Sequence, residues 1–77
     1  MKIKILYFGV TADITGKDSE SVLDIHDTNS LNEKLIGIYP KLKNANYRIA
    51  VNLEMINENT VLKDDDEVAL LPPFTGG

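Results

Sequence analysis

Six residues close this sequence in a way that could do chemistry: Pro72-Pro73-Phe74-Thr75-Gly76-Gly77. The two prolines have a fixed φ and no amide to donate, so they hold the chain in an extended exit. The two glycines lack a Cβ and can pass where no other residue fits. What such a tail offers is the terminal carboxylate on Gly77. At about 3.3 to 3.6 Å per residue, six residues span roughly 20 Å, enough to enter a deep pocket while the domain stays outside it. The plain alternative is a frayed end, where small residues are tolerated. The prolines, set directly behind a strand-like segment, favour a directed tail.

No other catalytic set is visible. There is no cysteine, which removes disulfides, thiolate metal sites and thiol nucleophiles together. Any sulfur chemistry would have to use imported sulfur. His26, the single histidine, has no cysteine or second histidine beside it and reads as a surface or cap residue. The run Asp64-Asp65-Asp66-Glu67 lacks the glycine and the distant glutamate of a calcium loop and reads as a solvated turn, with no metal expected. A net charge of −4 with one arginine, Arg48, does not build a phosphate-neutralising groove, so no nucleic-acid partner is expected. No segment approaches the roughly 20 apolar residues of a membrane span, and Met1 to Ile5 is too short and too charged for a leader. A soluble cytoplasmic protein is expected.

These residues need a domain to position them. A chain of 77 residues makes one domain with a small core, burying only about 60% of its unfolded surface. Residues 1–71 are expected to form that domain and 72–77 the tail. Residues 2–8 read as a central strand, with Ile3, Ile5 and Tyr7 on one face and Lys4, Leu6 and Phe8 on the other. Val10 to Ile14 is expected to make one helical turn, and residues 19–25 a second strand. Asp27 to Ser30 supplies four cap-forming residues, and the Ser30 to Glu33 spacing predicts a capping box with the helix beginning there. Leu31, Leu35, Ile38 and Leu42 recur on one helical face, and Pro40 ends the helix near Tyr39. Gly37 within it reads as a close helix–sheet contact. Residues 47–51 and 67–71 predict two further strands, with a short edge strand at 54–56 or 60–62.

One amphipathic helix can cover only one face of such a sheet, which predicts an α+β domain of β-grasp type with the helix across a mixed sheet. If Ile3, Ile5, Ile49, Val51, Val68 and Leu70 face the helix, then Leu6, Phe8, Ala50 and Leu71 lie on the other side. An exposed apolar patch, of the kind that marks a contact surface, is expected there. Alternatively, Leu6 or Phe8 tucks under the 9–17 connection.

The ending Asp66-Glu67-Val68-Ala69-Leu70-Leu71-Pro72-Pro73-Phe74-Thr75-Gly76-Gly77 resembles that of the small, sulfur-carrying subunits of molybdopterin synthases. Ile3 to Phe8 followed by Gly9 is similar to that family's first strand, and Ala50-Val51-Asn52 to its central Val-Asn element. Two departures stand out. Asp65 replaces a turn glycine, where a positive φ would cost on the order of 1 kcal/mol, and Ala12-Asp13 replaces a commoner Arg-Glu pair.

The resemblance implies a ubiquitin-like sulfur carrier without an active site or resident cofactor of its own. It implies an ATP-using partner that adenylates the Gly77 carboxylate and a persulfide donor that converts it to a thiocarboxylate. It also implies a large synthase subunit that takes up Pro72, Pro73, Phe74, Thr75 and Gly76 as the tail inserts. The pterin precursor of molybdopterin would receive the sulfur there, with Leu6, Phe8 and Leu71 as the docking face. Sulfur donation to thiamine or another sulfur metabolite is the neighbouring alternative, which the Pro72 to Thr75 approach argues against. A ubiquitin-like protein modifier and a pure interaction domain are the others.

Overall fold

The computed structural model describes residues 1–73. Five strands form one sheet: β1 (Lys2–Tyr7), β2 (Ser19–Leu23), β3 (Arg48–Val51), β4 (Glu54–Met55) and β5 (Glu67–Leu71), in the spatial order β2-β1-β5-β3-β4. The β1–β5 pair is parallel and the others are antiparallel. A short helix α1 (Val10–Thr15) follows β1, and the main helix α2 (Thr28–Ile38) precedes a 3-10 turn at Pro40–Asn44. This is the β-grasp arrangement expected from a single amphipathic helix and a mixed sheet.

The alternation in β1 sets the layers. Ile3, Ile5 and Tyr7 are buried, and with Val68, Leu70 and Val51 they form the sheet side of the core. Leu31 and Leu35 of α2 close it from the other side, joined by Leu42 and Leu62. Ile38 departs from the expected stripe: it is half exposed and lies outside this cluster. The helix stops at Tyr39, whose φ of −123° and ψ of 83° break the helical path, and the chain then folds back so that Leu42, on the 3-10 turn, is buried instead.

The start of α2 also differs from expectation. The cap is Asp27, one turn before Ser30: its extended backbone precedes the first helical residue, and its Oδ1 accepts the Ser30 amide at 2.8 Å. Asn59 reinforces it, with Oδ1 accepting the Asn29 amide at 2.9 Å. A run of four capping residues permits several registers, and the long-range Asn59 contact decides among them. Gly37 makes no close contact, since a Cβ built there meets nothing within 4 Å. The expected helix–sheet approach at that glycine is therefore absent.

Beneath the sheet, Tyr7 and Tyr39 meet edge to face with centroids 6.3 Å apart. Both hydroxyls donate to Glu20 Oε2, at 2.5 and 2.8 Å, while Lys17 Nζ lies 3.2 Å from Oε1. Burial pushes the Glu20 pKa up, but the three donors outweigh it and hold the carboxyl below its ordinary value. The Tyr7 phenol is driven far above its usual range, first by burial and then by Glu20. This cluster fastens β2 to the turn after α2.

Candidate functional site

The sheet face opposite α2 is uncovered. The strand registers bring Leu6, Ala69, Ala50 and Met55 into one row across β1, β5, β3 and β4. Two alanines in the middle of the row make a floor lower than its ends. Ala50, expected among the exposed residues, is buried for this reason. Phe8, Leu71, Leu53 and Glu67 complete a cavity of about 290 Å³. Phe8 is 44% exposed, so neither it nor Leu6, which lines the cavity, is tucked away under the 9–17 connection.

The tail root sits at one end of this groove. Leu71 lines the cavity and closes β5, and Pro72 continues directly from it. Gly9 lies against Pro72: a Cβ on Gly9 would stand 2.9 Å from Pro72 Cγ, and its φ of 58° is disfavoured for other residues. The Phe8 amide donates to the Leu70 carbonyl at 3.2 Å. The fully buried Thr11 hydroxyl accepts the same amide at 3.0 Å and donates to the Phe8 carbonyl at 2.7 Å. The turn after β1 thus braces the place where the tail departs. Sequence reasoning missed Thr11, because a polar residue in a short connection gives no sign of burial. Gly9 stands out in the sequence only as the residue that follows the first strand, which does not reveal its contact with Pro72.

Of the expected site residues, Leu6, Phe8 and Leu71 come together in the groove, and Pro72 and Pro73 follow Leu71 along the chain, with Pro72 against Gly9. Phe74, Thr75, Gly76 and Gly77 lie outside the described residues. The acidic run forms a turn. Asp66 Oδ2 accepts the Lys63 amide at 2.8 Å, Asp64 Oδ1 accepts the Lys2 amide at 2.7 Å, and Asp65 has the positive φ, 67°, that its glycine-like position requires. Among the described residues, no cluster of His, Asp or Glu side chains is arranged to hold a metal ion. His26 is exposed on the approach to α2. Among the same residues, no helix is long and apolar enough to cross a membrane.

Residues 5–77 match the ThiS family. The chain belongs to that family. A molybdopterin synthase sulfur carrier subunit from Mycobacterium tuberculosis is 35% identical, over 100% of this chain and 99% of the relative. Among solved structures, a Pyrococcus furiosus chain assigned as molybdopterin converting factor subunit 1 superposes with a TM-score of 0.89 at 26% identity, covering 96% of this chain and 99% of its own. A second, from a complex of subunits 1 and 2 of the molybdopterin-converting factor of Helicobacter pylori, is 30% identical over the whole of both chains, with a TM-score of 0.72. The family match includes the tail, and the groove and tail root described above belong to a fold shared with these relatives.

Proposed function

We propose that this chain is a sulfur carrier, the small subunit of a molybdopterin synthase, and that its reacting group is the Gly77 carboxylate. The observation that carries the reading is the position of the tail root: β5 delivers Pro72 from the rim of an uncovered apolar groove, braced from behind by Gly9 and Thr11. A partner can therefore grip the domain by the groove and receive the tail in one approach. The homologous subunit 1 from Helicobacter pylori occurs in a complex with subunit 2, and the corresponding large subunit is the partner proposed here.

The chemistry follows from the poor electrophilicity of a carboxylate. An adenylating enzyme brings ATP; the Gly77 carboxylate attacks its α-phosphorus, pyrophosphate leaves, and the carbonyl acquires AMP as a leaving group. The outer sulfur of a persulfide displaces AMP, and a thiol then cleaves the acyl disulfide to give the thiocarboxylate and a disulfide on the donor. That sulfur is nucleophilic at neutral pH. Inserted into the large subunit, it attacks a carbon of the pterin precursor and an oxygen substituent on that carbon departs; water then cleaves the acyl–sulfur bond, leaving the sulfur on the pterin and returning the Gly77 carboxylate. ATP is a co-substrate of the activating enzyme rather than a resident of this domain, and the cycle operates in the cytoplasm.

Intact-protein mass spectrometry after incubation with the activating enzyme, ATP and a persulfide donor tests the reading. One oxygen replaced by sulfur, mapped to Gly77 by fragmentation, is the expected outcome. Sulfur elsewhere in the chain, or none with any activating partner, would sink it.

A further inference from the structure

Leu53 is 90% exposed, and its backbone is strained. The two residues joining β3 to β4, Asn52 and Leu53, have φ of 49° and 73°. Such pairs form tight hairpin turns whose second position favours glycine. A leucine there crowds its own backbone, and a side chain surrounded by solvent recovers nothing through packing. The turn is nevertheless held firmly. The Asn52 amide donates to the Glu67 carbonyl at 2.8 Å, Asn52 Oδ1 accepts the Glu67 amide at 3.0 Å, and Asn52 Nδ2 donates to Asp66 Oδ1 at 2.9 Å. Leu53 is therefore presented at a fixed place, and that place is the wall of the apolar cavity it shares with Leu6, Phe8, Met55 and Leu71.

We infer that Leu53 is a specificity-determining contact for the protein that receives the tail, which on the function proposed above is the large synthase subunit. The occupant follows from the direction of the chain. Leu71 lines the same cavity and Pro72 continues from it, so a protein that holds the residues after Pro73 lies against the groove. Among the described residues, Glu67 is the one charged side chain lining the cavity, which suits an apolar side chain of that subunit, desolvated against Leu53 and Met55. The strain in the free domain is offset only when that contact forms.

Leu53→Gly separates the contact from the fold, because glycine relieves the positive φ while removing the side chain. Calorimetric titration of the full chain against the purified large subunit is paired with thermal melts. Leu53→Gly is expected to weaken binding by about fivefold or more, as for a buried interface anchor, with a melting midpoint unchanged or raised. Val61→Thr, at another exposed apolar position (74%) outside the cavity, is expected to bind within about twofold of wild type. If wild type binds and Leu53→Gly matches it within about twofold, the inference is overturned and the proposed function stands. A lowered melting midpoint would show that Leu53 supports the fold and overturn it equally. If wild type itself does not bind, the proposed function fails and the inference with it.

Discussion

At the scale of single residues, Glu20 shows how a side chain absent from any motif can organise the core. Its side chain is only 18% exposed, and the two tyrosine hydroxyls and Lys17 hold its carboxyl below the ordinary value of 4.5. A depressed folded-state pKa gives stability that is fully present above the unfolded value and lost as pH falls through the folded one. Glu20→Gln is therefore expected to cost on the order of 1 kcal/mol at pH 7, because one neutral amide oxygen replaces the charged carboxylate and the amide NH2 cannot accept from Lys17. Urea melts from pH 7 down to about 3 should show the gap to wild type closing below the usual carboxylate range; a gap independent of pH would mean that the charge contributes nothing. Tyr7 acts in the opposite sense: its raised pKa keeps the phenol neutral in the fold, giving stability that is complete below 10.0 and lost as pH rises past it. None of this was readable beforehand. The apolar alternation of Ile3, Ile5 and Tyr7 announced their burial, but a carboxylate drawn inward by two hydroxyls has no local signature.

At the scale of elements, the sequence conveyed type better than register. The strand faces followed from the period of two, because one misplaced residue would have put the isoleucines of β1 in water. The helix followed from its leucines. Its first residue did not, since Asp27, Thr28, Asn29 and Ser30 can each cap, and the choice rests on Asn59, 30 residues from Asn29 along the chain. Gly37 illustrates the same limit: a glycine that spares a contact and one that merely weakens a helix look alike in sequence. With open space where its Cβ would stand, Gly37→Ala is expected to stabilise the domain by about 0.5 kcal/mol through reduced freedom of the unfolded chain. Chemical denaturation checks this, and a loss of stability would reveal a packing constraint on that face. The open groove was legible as an uncovered face, but its concavity was not, because it depends on Ala50 and Ala69 meeting across β3 and β5.

At the scale of the whole molecule, the two sides of the sheet differ: one is closed by α2 to make the fold, and the other is uncovered and carries the apolar groove, where the function proposed above has the large subunit dock. Phe8→Asp should respect that division. With Phe8 already 44% exposed, the substitution is expected to change stability by no more than about 1 kcal/mol, while lowering affinity for the large subunit about tenfold or more. Urea melts and calorimetry measure the two separately, and an unfolded variant would contradict the open-face assignment. A last consequence lies in the strand order. Although β5 comes late in the chain, it sits at the middle of the sheet, and β1 and β3 meet edge to edge only through it. In that order, β5 is the one strand that joins the β2–β1 pair to the β3–β4 pair, so the sheet has no centre without residues 67–71. The strand that completes the domain is the one from which the tail emerges. On the function proposed above, a large subunit that needs the whole groove meets only domains whose central strand is in place, so the architecture inspects the carrier before sulfur is transferred.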